Sequence, residues 1–249
     1  MCTLIILRRP DHDWPVLIAT NRDEMRDRPW RLPGRHWPDR PEVVAGRDEL
    51  GGGTWLGLND HGVVAAVLNR VGSLGPAPNK RSRGEIVLEA LDHADAVDAA
   101  EALVALNVDA YRSFNLLIAD SRDAFWLKHD GGHAVELTPL NNGVSMLTAY
   151  DINSTESARV RRYLPRFEAA PPPDPTTNHW GSWETLLASR EATAGSAPLG
   201  AMRVDTDTAF GSVNASLIAL PRPAVDRRRP IWRFTGAPPG DQPFTAVPL

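Results

Sequence analysis

Two apolar runs open the chain, residues 3–7 and 16–20, with a polar, proline-containing link at residues 9–15 between them. Neither run alternates strictly between apolar and polar, so each is expected as a strand covered on both faces, and the two together as a hairpin. Strand patterning continues through residues 43–46, 54–58 and 62–69, with Asn59-Asp60-His61-Gly62 as the turn between the last two. Helical spacing follows. Ser82 and Glu85 have the spacing of a capping box ahead of Ile86, Val87, Ala90 and Leu91, and Asp95 is placed to cap a second helix carrying Ala96, Ala99, Ala100, Leu103 and Val104 to about Leu106. Strands are predicted again at residues 115–119, 124–128, 133–137 and 144–149. Beyond them come a helix over 156–167 after Asn153-Ser154-Thr155, a proline-rich break at 171–175, a short helix over 183–189, and closing strands at 214–220 and 231–234. The order strands, helices, strands, helices, strands suits sheets covered by helices and lacks the regular alternation of a parallel βαβ protein.

Composition changes this picture little. The 249 residues are near the upper size at which one core still grows, and we expect a single domain over residues 1–249. Apolar residues at 42% and charged residues at 23% are enough for a sizeable core. A formal charge of −4 provides no field that would draw the chain to phosphate backbones, so nucleic acid is excluded as the expected partner. The basic run Arg227-Arg228-Arg229 before Pro230 reads as a solvated turn. No apolar stretch reaches the length that spans a bilayer, and Met1 leads straight into the first strand with no leader pattern. The single cysteine excludes an internal disulfide and a cysteine-built zinc site, and it fits a reducing compartment; the cytoplasm is the expected location. His129 and His133 flank Asp130-Gly131-Gly132, a hairpin rather than a helix, so no metal is assigned.

Candidate chemistry centres on Cys2. Removal of Met1 would leave one residue with both a thiol and a free α-amine, whose ordinary pKa values are about 8.5 and about 7.7 to 8.0, so the amine suits the role of general base for the thiol. On position alone, a small buried hydrophobe at the start of a strand is the commoner fate of a free cysteine. Asn21-Arg22-Asp23-Glu24 ends the second strand, and the hairpin places it beside Cys2. Arg22 would then hold a thiolate or a substrate anion, and Asp23 or Glu24 would orient the amine. A solvated charged turn is the plainer reading of those four residues. Gly51-Gly52-Gly53-Thr54-Trp55-Leu56-Gly57 lacks the lysine and helix of a phosphate loop; its glycines suggest close backbone approach beside the Cys2 pocket, with Trp55 as a wall. The amide of Asn69 is either an oxyanion donor or turn chemistry.

Together, Met1-Cys2-Thr3, Asn21-Arg22-Asp23-Glu24, Gly53-Thr54-Trp55-Leu56-Gly57, Ser82-Arg83-Gly84-Glu85 and Ser113-Phe114-Asn115-Leu116-Leu117 resemble the Asn-Arg-Asp-Glu family, also called the transport and Golgi organization 2 family. The resemblance implies an α+β fold, a four-layer αββα sandwich of mainly antiparallel sheets of the N-terminal nucleophile hydrolase type. It also implies a distant relation to choloylglycine hydrolases and acyltransferases acting on amide or thioester bonds. Cys2 would be the nucleophile, Arg22 and Asp23 its electrostatic partners and Asn69 an oxyanion donor, with Asn21, Glu24, Thr54 and Trp55 lining the substrate site. Two positions depart from the pattern: Leu147-Thr148-Ala149 lacks the asparagine such hydrolases carry, and Phe210-Gly211-Ser212-Val213 lacks the arginine of Tyr-Gly-Thr-Arg. The family is also associated with haem trafficking and acyl-coenzyme A binding. A non-catalytic carrier, with haem or a coenzyme A thioester as ligand and no required cofactor, therefore stands beside the hydrolase as an expectation.

Overall fold

The computed structural model describes residues 2–223 and 228–249. Met1, on whose removal the free amine depends, and Arg227 of the basic run lie outside the described residues. In chain order the strands are β1 (Thr3–Arg8), β2 (Val16–Met25), β3 (Trp30–Gly34), β4 (Val43–Asp48), β5 (Leu56–Asn59), β6 (Val64–Asn69), β7 (Phe114–Ala119), β8 (Ala124–His129), β9 (Glu136–Pro139), β10 (Gly143–Leu147), β11 (Phe210–Leu220), β12 (Ile231–Thr235) and β13 (Thr245–Ala246). The helices are α1 (Gly84–Ala90), α2 (Ala96–Val104), α3 (Ala158–Ala169) and α4 (Ser182–Leu187). The chain divides into two compact units, Met1–Arg28 with Asn142–Val247, and Pro29–Asn141 with Pro248–Leu249.

The first unit is a six-stranded antiparallel sheet, ordered β10-β1-β2-β11-β12-β13, with α3 and α4 on one face. The predicted hairpin is β1 and β2, paired from Thr3↔Asn21 to Arg8↔Val16. Odd-numbered strand residues Ile5, Leu7, Leu17, Ala19, Ala215, Leu217 and Ala219 face the helices and meet Val160, Tyr163 and Phe167, one stripe of α3. Fully burying a Phe, Leu or Ile side chain is worth roughly 1.5–3 kcal/mol, so this layer supplies much of the unit's stability. Ser157 starts α3 by accepting the Val160 N–H at 3.3 Å, two residues beyond the start that the sequence pattern predicts. Phe167 meets Trp183 of α4 edge to face at 5.5 Å.

The second unit is a seven-stranded antiparallel sheet in sequence order, β3 to β9, with α1 and α2 packed on it through Ile86, Val87, Ala99 and Leu103 against Leu116, Ile118 and Leu127. Asp95 caps α2 as predicted, accepting from the Asp98 N–H at 2.8 Å. The capping box at Ser82 does not form. Arg83 occupies the N-cap without a side-chain bond, and Glu85 pairs with Arg81 instead. The start of α1 is set by backbone contact: Thr54 N–H donates to Gly84 O at 3.1 Å, and a Cβ on Gly53 would lie 2.3 Å from the Gly84 carbonyl carbon. Strand β3 has no counterpart in the sequence pattern, because an exposed edge strand containing Pro33 carries no apolar alternation. Among the described residues, no helix is long and apolar enough to cross a membrane.

Candidate active site

The β1–β2 register carries Cys2, just ahead of Thr3, alongside Arg22 and Asp23. Cys2 is half-buried, and its Sγ–H donates toward the Asp23 carbonyl oxygen at 3.7 Å. Burial pushes the Cys2 thiol above its ordinary pKa and the Asp23 charge adds to this, while the positive chain terminus, the bond to the Asp23 backbone and Arg22 pull part of the way back. The thiol is therefore protonated at neutral pH.

Strand alternation sends the motif residues to opposite faces. Asn21 and Asp23 project to the helical side; Arg22 projects away from it. On the neighbouring strand β11, Ser212 pairs with Asp23 and Asn214 pairs with Arg22, because a bulge at Val213 inserts one residue between them. Ser212 and Asn214 are two residues apart and would otherwise share a face; the bulge turns them to opposite ones.

On the helical side the Asp23 carboxylate is fully occupied. Ser212 Oγ donates to Oδ1 at 2.6 Å, and Arg159 Nη1 of α3 donates to Oδ2 at 3.0 Å. Both charged side chains are almost wholly buried, 3% exposed for Arg159 and 0% for Asp23. Arg159 also donates to Thr3 Oγ1 and to the Leu199 carbonyl oxygen. Asn21 serves as a clamp, its Nδ2 donating to the carbonyls of Leu187 and Met202 at 2.9 Å each, which ties the end of α4 to the sheet. On the other face, Arg22 lies 3.8 Å from Glu24, which also approaches Arg28 at 3.8 Å. Asn214 is buried beside Arg22, and its Nδ2 has no hydrogen-bond partner among the described residues.

Three predicted site residues belong to the second unit. Thr54 is buried, its hydroxyl donating to Leu56 O at 2.9 Å and accepting from Leu56 N–H at 3.2 Å, which closes a local turn. Trp55 packs edge to face on Trp30 at 5.7 Å and fills the space over Gly46, where a Cβ would come within 2.4 Å of its ring. Asn69 ends β6 opposite Phe114. At the glycine run the backbone of Gly53 closely approaches that of Gly84, at the start of α1.

Sequence reasoning missed Arg159, Ser212 and Asn214. Arg159 did leave a signal: a cation in the first turn of a helix opposes the macrodipole, so a buried carboxylate partner was the residue to look for. A cavity of about 170 Å3 opens beside this network, with Thr148, Tyr150, Glu156, Ser157, Arg159 and Leu199 in its lining. It belongs to the helical side of the sheet, where Arg159 bonds to Thr3, whereas alternation turns Cys2 to the other face with Arg22. A half-buried thiol, a neutralised carboxylate–guanidinium pair that stiffens the backbone under it, and a cationic face with an unpartnered amide together provide a nucleophile and donors for a developing negative charge.

The family model described as Transport and Golgi organisation 2 matches residues 1–172. The chain is 38% identical over 112 residues to the Transport and Golgi organization protein 2 homolog of Bos taurus; that alignment covers 42% of this chain and 38% of the relative, so the matched part spans well under half of the relative's length. Among solved structures, the Caenorhabditis elegans ortholog of N-acylethanolamine-hydrolyzing acid amidase superposes with a TM-score of 0.59 at 11% identity, covering 90% of this chain and 94% of that one. The C2A mutant of the conjugated bile acid hydrolase from Clostridium perfringens does so with a TM-score of 0.56 at 12% identity, covering 99% and 92%. At such identities the likeness establishes the α+β fold of the N-terminal nucleophile hydrolase type and no activity.

Proposed function

The chain belongs to the Transport and Golgi organisation 2 family, and we propose that it is a Cys2-dependent acyl-transfer enzyme acting on an amide or thioester. The observation that carries this reading is the half-buried Cys2 thiol at the mouth of the β1–β2 hairpin, 3.7 Å from the Asp23 backbone and on the strand next to Arg22. Once Met1 is hydrolysed away, the α-amine of Cys2 takes the proton from Sγ, which is needed because burial holds the thiol protonated. Sulfur attacks the carbonyl carbon; the C–S bond forms as the π electrons move to oxygen. Arg22 and the Asn214 amide stabilise that oxygen from the face of the sheet they share. Collapse breaks the bond to the amine or thiol leaving group, which takes the proton from the Cys2 ammonium. Water, or another nucleophile in a transferase, then cleaves the acyl-thioester and regenerates the thiol.

Intact mass decides the first step. The expected result is a purified protein lacking Met1 that gains one acyl mass on reaction with a small acyl thioester, with Cys2→Ala gaining none. Retention of Met1, or equal labelling of Cys2→Ala, overturns the reading and favours a carrier that uses the same fold without an acyl-enzyme.

A further inference from the structure

Between β6 and α1, residues 70–83 form neither helix nor strand, yet their backbone is tied down. Arg112 reaches into the loop and donates to the carbonyl oxygens of Leu74 at 2.6 Å and Gly72 at 2.8 Å, with those of Gly75 and Pro76 at 3.3 Å each. Ser73 is buried, its hydroxyl donating to the Ser113 carbonyl oxygen and its own carbonyl accepting from Arg83, both at 2.8 Å. The chain turns at Gly72 and Gly75, whose φ values of 76° and 75° glycine adopts without strain. Two aliphatic side chains are left outside: Val71 is 56% and Leu74 53% exposed. The loop thus turns polar backbone groups inward and aliphatic side chains to water, the reverse of an ordinary solvated turn.

Charge points to the same partner. Residues 70–83 carry four cations, Arg70, Lys80, Arg81 and Arg83, and no acidic residue, in a chain whose net charge is −4. Arg81 is paired with Glu85. Arg112 adds a fifth cation from within the loop, and both it and Lys80 donate to backbone carbonyls, which hold a cation without cancelling its charge. We propose that this loop docks the protein on an anionic membrane surface: Val71 and Leu74 enter the headgroup–acyl boundary while Lys80, Arg112 and the neighbouring arginines meet the lipid phosphates and carboxylates. An acidic peptide or a nucleic acid would satisfy the cations and leave both aliphatic side chains in water, so a lipid surface fits the pattern better. Two aliphatic side chains are a weak anchor alone, so attachment is reversible and needs the charge as well. The proposal does not depend on the reading of Cys2.

The test is co-sedimentation of the full chain with vesicles of phosphatidylcholine alone and of phosphatidylcholine with roughly one-third phosphatidylserine. Binding is expected to be at least about tenfold tighter on the anionic vesicles and to weaken as salt is added. Val71→Ser/Leu74→Ser is expected to weaken it about tenfold and Lys80→Gln about fivefold. Val104→Ser, which removes an aliphatic side chain 41% exposed on α2, is expected to bind within about twofold of the parent. Urea unfolding checks that each variant is folded; if the double variant is not, Leu74→Ser alone takes its place. No binding to anionic vesicles, equal binding to the two vesicle types, or a folded Val71→Ser/Leu74→Ser or Lys80→Gln protein that binds like the parent overturns the proposal. So does a dimer in solution that the double variant converts to a monomer, because Val71 and Leu74 would then cover a second copy of this chain.

Discussion

Replacing Arg159 by Met would take from the buried Asp23 carboxylate the guanidinium at 3.0 Å, while the Ser212 hydroxyl stays on its other oxygen. At 3.0 Å and an effective dielectric of about 20, the gross attraction of the pair is about 5–6 kcal/mol. Desolvation offsets part of this in the intact protein, but removing one partner exposes the whole penalty of the other, about 3–5 kcal/mol in buried pairs. Thr3 and Leu199 also lose a donor, each worth roughly 1 kcal/mol. With these losses included, about 5–7 kcal/mol in all, and at about 2–4 °C per kcal/mol for a domain of this size, Arg159→Met is expected to lower Tm by roughly 10–28 °C. Urea unfolding followed by tryptophan fluorescence gives the free energy, and the double variant Asp23→Asn/Arg159→Met supplies the control. Without a stranded charge, the double variant is expected to be more stable than Arg159→Met alone. An Arg159→Met protein within about 1 kcal/mol of the parent, or a double variant as unstable as the two single losses summed, would refute the reasoning.

Gly53→Ala places a methyl 2.3 Å from the Gly84 carbonyl carbon, which is backbone and cannot swing aside, so a loss of about 1–3 kcal/mol is expected by urea unfolding. Alkylation of Cys2 is expected to keep rising with pH beyond the range where a free cysteine peptide levels off, because burial raises its pKa; Arg22→Ala removes a lowering charge and should move the profile higher still. A profile at or below that of the peptide contradicts this. Since the folded-state pKa of Cys2 lies above its unfolded value, its contribution to stability is present below the ordinary thiol range and is lost as pH rises through the folded value. His129 behaves oppositely. Burial lowers its pKa below the ordinary value, helped by Lys80 and opposed by Asp130, so its contribution is present above about pH 6.5 and is lost as pH falls toward the lower folded value. His129→Phe, next to Phe114, is expected to flatten the stability profile between about pH 7 and pH 5, and a profile as steep as the parent's counts against this.

Most of the strand and helix order was legible in the sequence because it rests on apolar runs whose period is local. The hairpin of β1 and β2 follows from two runs and a polar link, and with it the neighbourhood of Cys2 and Asn21-Arg22-Asp23-Glu24. Which side each of those residues faces was not legible, because it depends on the pairing of β2 with β11, almost two hundred residues away in sequence and shifted by the bulge at Val213. Read locally, Ser212, Asn214 and Ser216 form an alternating polar set that belongs on a solvated face; all three are buried, and the bulge separates the first from the second. Asn21 likewise reads as a site residue from its motif, while its amide holds the carbonyls of Leu187 and Met202, partners that no local pattern announces.

The same bulge gives physical content to the departure at Val213. The arginine missing from Phe210-Gly211-Ser212-Val213 would have stood at the one position of β11 that has no partner on β2. In this chain a guidinium does reach Asp23, but it comes from α3, as Arg159, through the helical layer. A residue supplied by a helix is fixed by packing of the Val160, Tyr163 and Phe167 stripe rather than by strand register, so its position depends on how well α3 seats on the sheet. The charge at the floor of the site is thereby coupled to the core of the unit: a large-to-small change in that stripe, such as Phe167→Ala, should disturb Asp23, Thr3 and hence Cys2 without touching any of them. Faster alkylation of Cys2 in a Phe167→Ala protein that remains folded is the expected sign of that coupling, and an unchanged rate would mean that the pair is held by its own hydrogen bonds alone.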